Sequence, residues 1–407
     1  MRSLDLLKFE NENGIIGRKA DNKRKIIRHL CRYKKSLTIP EISTLIDLSI
    51  PICTALIRNL VKDDYLIKQA KNTSENGRRP FAYSFNKNGF YVVGVEILSK
   101  FIQLSVFNIG LDNIHTSIDR SFTLSNDKEC LSYITSFIEN SLIDSNINKK
   151  DIIGIGVGMQ EVIKDSNGEL SYFFPDEAIS LKTHLESKLN LTIIIDNDTR
   201  TIGVAEQALG IAKGVDNSLV VKVSRTLGLS IIADRHIIKG SYGVAGNFSH
   251  TQFEKGNRLC ECGKIGCLGT EIGGNALLDD LKFALEDGKD SIYFNKKNIS
   301  NYKYHDILEA VLKGDELSLK LIHDQGYKLG KALGNVINLI DPELVLIGGE
   351  YGMVKDYFID AVKSGIKITG LINTVKHCEV KASVLGRYLG AKSGACMLLK
   401  ACDMIDF

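Results

Sequence analysis

Three of the nine cysteines crowd into one short stretch, Cys260, Cys262 and Cys267, within AGNFSHTQFEKGNRLCECGKIGCLG, which opens at Ala245. The other six stand singly at 31, 53, 130, 378, 396 and 402. In a reducing compartment scattered cysteines are buried apolar residues, whereas a tight cluster is a metal site. His250 lies ten residues before the first thiol of the C-x-C-x4-C run. Zinc takes four such ligands in a tetrahedron, and a Cys3His set has no open position, so the expected ion is structural Zn²⁺ held by His250, Cys260, Cys262 and Cys267. Gly263 and Gly266 allow the tight turns that bring three thiolates to one point. The bland alternative is a set of unligated loop thiols.

The second chemical signal is charge. Residues 1–85 hold 17 Lys and Arg against 9 Asp and Glu, a net of +8, which leaves −5 for the rest of a chain at +3 overall. A basic head on an acidic body points to a polyanionic partner, against the bland reading of a solvated basic face.

These residues need elements to position them. Residues 22–34 place Ile26, Ile27 and Leu30 on one helical face. Thr38 and Glu41 have capping-box spacing at the start of PEISTLIDL. Ser49 caps a third helix over about 50–64, expected to turn Ala55, Leu56 and Leu60 inward. Three short helices with tight links form a helix-turn-helix. YLIKQAK and FAYSF then read as a hairpin around NTSENGRRP, a wing with Arg78 and Arg79 at its tip. Beyond residue 90 the pattern changes. FYVVGVEI and FIQLSVFNI read as a strand pair, IIGIGVGM and LTIIIDND as strands around a helix near 179–189, and SLVVKVS and GLSIIADR as a second pair. Helices dominate after 305, LVLIGGE is a strand, and a strand near 378–384 and a helix over 390–402 close the chain. The pattern runs twice, as expected of two similar α/β lobes with a cleft between them. No apolar run reaches the ~18 residues of a membrane span, and the first residues lack the apolar core of a signal peptide, so a cytoplasmic protein with no membrane partner is expected.

With SHTQFEKGNRLCECGKIGC, GRRP at 77–80 and DPELVLIGGE at 341–350 in this order, the chain resembles the ROK family of repressors, open reading frames and sugar kinases, in its regulator branch. The resemblance covers nearly the whole chain. It implies a winged helix-turn-helix over 1–88 and a two-lobed, actin-like or ribonuclease-H-like sugar-kinase fold over 89–407. Lobe one is about 89–200 with the C-terminal helix 390–407, and lobe two about 201–389 with the zinc loop at 245–270. It further implies a double-stranded DNA operator, a sugar or sugar phosphate in the cleft, and a homodimer or homotetramer on a palindromic site.

The resemblance also locates a sugar site. DND at 196–198 is similar to the family's END, which puts Asn197 and Asp198 toward the sugar, Asp198 being the vestige of a catalytic base. Asn247 and Gly269 stand where the family has glutamates, and Glu271 is a candidate substitute. His250 can serve zinc through one ring nitrogen and the ligand through the other. The kinase phosphate loops look degenerate. GVEILSK puts Glu96, Leu98 and Ser99 where Asp and two glycines are expected, and SRTLGLS keeps only Gly228. Without glycines a loop cannot bring its N–H groups close to phosphate. The expectation is therefore no enzyme activity. A sugar kinase with an appended DNA-binding domain and a ligand-blind DNA binder are the alternatives. On the third helix Ser49, Thr54, Arg58 and Asn59 are the candidate DNA contacts, Arg58 for guanine and Asn59 for adenine or either of them equally for phosphate, with Arg78 and Arg79 on phosphate or the minor groove.

Overall fold

In the computed structural model, residues 15–33, 36–70, 80–161, 163, 173–174, 180–253, 256–386 and 389–405 are described. Arg78 and Arg79 lie outside the described residues. The chain divides into two compact units, one running to Thr201 and resuming at Gly390, the other spanning Ile202–Leu389.

The first unit begins with α1 (Ile15–Tyr33), β1 (Leu37–Thr38), α2 (Ile39–Leu45), α3 (Ile50–Lys62), β2 (Leu66–Ala70) and β3 (Phe81–Phe85). The Glu41 carboxylate accepts the Thr38 N–H at 2.6 Å and the Thr38 hydroxyl at 2.8 Å, as the capping-box spacing requires. The axes of α2 and α3 turn through 110°, within the range of a helix-turn-helix. Asp47 makes the turn at φ +53. Ile26, Ile27 and Leu30 of α1 are buried, and so are Cys53, Leu56, Ile57 and Leu60 of α3. Ala55 is not among them; it is exposed. Positions 53, 56, 57 and 60 recur at the helical period, and Ala55 falls on the opposite face. β2 and β3 pair antiparallel, with Leu66 opposite Phe85, and β1 adds to the other edge of β3. Two residues carry no readable period, so β1 was not legible in the sequence.

Phe90 fastens this head to the body of the first unit. It is fully buried and stacks on Tyr65 at 4.9 Å and Phe85 at 5.8 Å. The body contains β4 (Tyr91–Leu98), β5 (Phe101–Asn108), β6 (Asn113–Asp119), α4 (Lys128–Asp144), β7 (Ile152–Met159), α5 (Leu181–Leu189), β8 (Ile193–Asn197) and α6 (Asp198–Leu209), the helix within which the chain passes to the second unit.

The second unit holds β9 (Ser218–Val223), β10 (Leu227–Ala233), β11 (His236–Ile237), α7 (Gly274–Glu286), α8 (Tyr304–Leu312), α9 (Glu316–Ile340), β12 (Leu344–Gly348), α10 (Lys355–Thr369), α11 (Ile372–Val375) and β13 (Glu379–Ala382). α12 (Leu389–Ala401) returns the chain to the first unit. The two sheets have the same topology: β6-β5-β4-β7-β8 and β11-β10-β9-β12-β13, three antiparallel strands followed by two parallel ones. The repetition expected from the sequence is thus a repeated five-stranded sheet.

In the first unit α12 lies directly on β4 and β7. A Cβ on Gly94 would come within 1.7 Å of the Ala391 carbonyl, and one on Gly156 within 1.9 Å of that of Gly394. Only glycine admits backbone so close. Just past α12, Asp403 sits at φ +58 and pairs with two arginines of α1, Arg32 and, at 3.5 Å, Arg28. Among the described residues no single helix is long and apolar enough to cross a membrane.

Candidate functional site

The ligand atoms of His250, Cys260, Cys262 and Cys267 all lie within 4.8 Å of one another. Cys260 Sγ is 3.7 Å from His250 Nδ1, and Cys262 Sγ is 3.6 Å from Cys267 Sγ. The latter is far beyond a disulfide at about 2.05 Å. It matches the edge of a tetrahedron with zinc–sulfur bonds of about 2.3 Å, which is about 3.8 Å. The backbone explains the convergence. Cys260 N–H donates to Lys264 O at 2.8 Å and Gly263 N–H to Cys260 O at 2.9 Å, closing a tight turn. Gly263 and Gly266 both have positive φ, +85 and +82, the role expected of them. Arg258 ties the loop down, donating to Thr270 O at 2.9 Å and to the Asp280 carboxylate of α7. Lys264 N–H and the neighbouring thiols pull the Cys262 thiol down to about 6, while burial pushes Cys267 up to about 12. Four soft donors preset at metal spacing are a fit for a structural dication.

Asn197 and Asp198 stand where β8 becomes α6. Asn197 Oδ1 accepts from Thr199 N at 3.0 Å and Arg200 N at 3.2 Å, and its Nδ2 donates to Glu161 O at 3.0 Å. The side chain thus caps the helix. Asp198 is buried, with Oδ1 accepting the Thr199 N–H at 2.7 Å. Beside them Asp196 and Arg200 form a buried ion pair, Arg200 Nε reaching Asp196 Oδ1 at 2.7 Å.

In the second unit Asn247 is exposed and precedes the short turn Phe248–His250, with its carbonyl accepting the His250 N–H at 3.1 Å. Gly246, at φ +89, brings this loop against β10: a Cβ there would lie 2.2 Å from Leu229 O. Gly269 is packed on Ser249, 3.0 Å from a Cβ to its side chain. Glu271 is buried, and Lys328 of α9 binds its Oε2 at 2.7 Å.

The two segments in which the resemblance expects phosphate loops are packed against other parts of the chain. Glu96 is buried in β4, and a Cβ on Gly390 would come within 1.9 Å of its carboxyl carbon. The β4–β5 link is the two-residue turn Ser99–Lys100, with Ser99 O accepting from Leu124 N at 3.0 Å. In the second unit Gly228 lies within β10, opposite Lys222. The first amides of α7, Gly274 and Asn275, donate to the carbonyls of Ser224 (2.8 Å) and Arg225 (3.2 Å). A helix N-terminus attracts anions through N–H groups left free, and here the loop's own carbonyls take up these two. The Tyr304 ring covers Gly274, its hydroxyl donates to Glu350, and His305 Nε2 reaches Glu350 Oε1 at 2.8 Å.

On α3, Ser49 is the N-cap and Arg58 is exposed. Thr54 and Asn59 are half-buried, and the Thr54 hydroxyl donates back to Ile50 O at 2.7 Å. Pro51, Ile52, Ala55 and Lys62 share the exposed side with Arg58.

A model of the ROK family matches residues 107–401. The chain belongs to the ROK family. A putative xylose repressor from Caldicellulosiruptor sp. (strain Rt8B.4) is 25% identical over 393 residues, covering 95% of this chain and 96% of its own. A solved ROK-family transcriptional regulator, described as a homologue of the E. coli MLC protein, superposes with a TM-score of 0.78 at 20% identity, covering 95% of this chain and 97% of its own. A ROK glucokinase from Streptomyces griseus, solved with glucose and AMPPNP, gives 0.63 at 20% identity and covers 98% of its own chain but 76% of this one. The fold is thus the mixed α/β fold of ROK regulators and kinases.

Several residues that hold these loops and helices in place were not singled out from the sequence: Arg258, Lys328, Tyr304, Glu350 and Asp403. Each acts through a partner 12 to 371 positions away. No spacing within a short window signals such a pair.

Proposed function

We propose that this chain is a sequence-specific DNA-binding transcriptional regulator, a repressor of carbohydrate-utilisation genes controlled by a sugar or sugar phosphate. One observation carries the reading: a repressor relative and a regulator structure each match 95% of the chain, whereas the glucokinase leaves a quarter of it without a counterpart. In this reading residues 1–88 are a winged helix-turn-helix, with α3 in the major groove and the segment between β2 and β3 as the wing. Ser49, Thr54, Arg58 and Asn59 are its DNA-contact candidates, to bases or phosphate, and Arg78 and Arg79 contact phosphate or the minor groove. Residues 89–407 are the sensor. Asn197 and Asp198 in one lobe and Asn247, His250 and Glu271 in the other are its effector-binding candidates. A structural Zn²⁺ on His250, Cys260, Cys262 and Cys267 orders the loop that carries Asn247. The protein acts in the cytoplasm as a homodimer or homotetramer.

The effector moves the head only by binding one sensor conformation better than another. The kinase alternative is disfavoured by the buried Glu96 carboxylate and by the amides of α7 already being bonded to Ser224 and Arg225. A gel shift with zinc-loaded protein and the promoter next to its own gene tests the reading. A retarded complex at low salt, dissolved by one member of a sugar and sugar-phosphate panel, is expected. Absence of any complex overturns it. Steady ADP release with a hexose, abolished by Asp198→Asn, favours the kinase instead.

A further inference from the structure

The outward side of α3 is not what a purely polar reading head requires. Ile50 and Ile52 are exposed at 53% and 50% at the start of the helix, and Ala55 is exposed one turn further on. The opposite face, Cys53, Leu56, Ile57 and Leu60, already supplies the head's core contacts, so packing does not account for the outward apolar groups. Arg58 and Lys62 are exposed on the same side, in a head of net charge +8. That charge matches a polyanion and sets a nucleic-acid duplex apart from an apolar protein surface as the occupant. Within a duplex one group answers an isolated aliphatic side chain: the C5 methyl of thymine, displayed in the major groove.

We propose that Ile52 and Ala55 read thymine methyl groups, so that the half-site carries thymines beside the base pair contacted by Arg58. The inference rests on the DNA-binding reading above. Ile52 and Ala55 are three residues apart, about 4.5 Å along the helix axis, and base pairs stack at about 3.4 Å. The two side chains therefore meet neighbouring steps. Thr54, with its hydroxyl turned back to Ile50 O, contributes its methyl and not a base hydrogen bond.

The test uses the full-length zinc-loaded protein. A preferred duplex is selected from random sequence, and each thymine is then replaced by deoxyuridine, which removes only the methyl group. One or two replacements per half-site are expected to weaken binding about four-fold each, the worth of one buried methyl. Ile52→Ala should lose a similar factor on the thymine duplex and become indifferent to uracil at one of those positions. Uniform binding to every uracil duplex overturns the inference while leaving the regulator reading intact, and so does a uracil effect that Ile52→Ala retains in full. Failure to select any duplex at low salt overturns both. The uracil series uses unmutated protein, so its outcome does not depend on how a variant folds.

Discussion

Cys262→Ser removes one sulfur from the Cys3His group, and its cost can be worked from the loop. Apart from Gly266 and Cys267 themselves, none of the described residues from Thr251 to Cys267 is buried, and Leu259 and Ile265 are 73% and 61% exposed. The loop has almost no core of its own, so an ion bound to the Cys3His group would be its cross-link. From His250 to Cys267 the bridged segment spans 17 positions. Closing a segment of that length by a covalent bridge stabilises by about 3 kcal/mol, and a metal that binds only the folded loop gives a similar amount, about 2.7 kcal/mol at roughly a hundred times its Kd. In a unit of this size about 1 kcal/mol shifts Tm by about 2–4 °C, so the variant should melt about 6–12 °C lower. Chelation of the wild type should produce the same drop, and the variant should not respond to chelator. The assay is thermal unfolding followed by far-ultraviolet circular dichroism, with metal content measured on protein purified without chelator. Zinc well below one per chain, or a melting temperature that chelation leaves unchanged, would refute the reasoning.

Other parts of the molecule give three more expected outcomes. Gly156→Ala places a methyl against the Gly394 carbonyl, which only a shift of α12 can relieve; a loss of about 1–3 kcal/mol is expected in denaturant unfolding. Glu206 is fully buried in α6, with Ser383 as donor to one oxygen, and burial raises its pKa. The native state then holds this proton more tightly than the unfolded chain, so stability falls as pH rises from the ordinary carboxylate range toward the raised value. Glu206→Gln should remove that part of the slope, stabilising the protein at neutral pH and leaving it unchanged below about pH 4, as read from Tm across pH. Arg58→Ala should weaken binding to the selected duplex by about 1–3 kcal/mol and relax the preference at one base pair, as read by titration at fixed salt.

The Cys3His group was legible because its four residues fall within 18 consecutive positions and their types have one common chemistry. The sheets were legible because buried strands such as Ile152–Met159 read as unbroken apolar runs. What escaped depends on distance along the chain. Lys328 neutralises Glu271 across 57 positions, which no local pattern announces. Ala55 was turned the wrong way because alanine carries too little hydrophobicity to mark a face, and the helix phase had to be set by Cys53, Leu56, Ile57 and Leu60. The scarcity of glycine in GVEILSK and SRTLGLS was visible in composition. That the freed amides of α7 are taken up by Ser224 and Arg225 was not.

The contact between Asp403 and the arginines of α1 joins the two ends of the polypeptide. It makes the head a poor cassette for exchange. A chimera that grafts residues 1–88 onto another sensor, or another head onto this one, parts Arg28 and Arg32 from the carboxylate that neutralises them. Arg24, Arg28 and Arg32 then succeed one another at four-residue intervals along a helix with one counter-charge fewer, and like charges at that spacing oppose the helix. Successful head swaps should therefore carry the final turn of α12 and Asp403 with them, so that the exchangeable cassette is discontinuous in sequence.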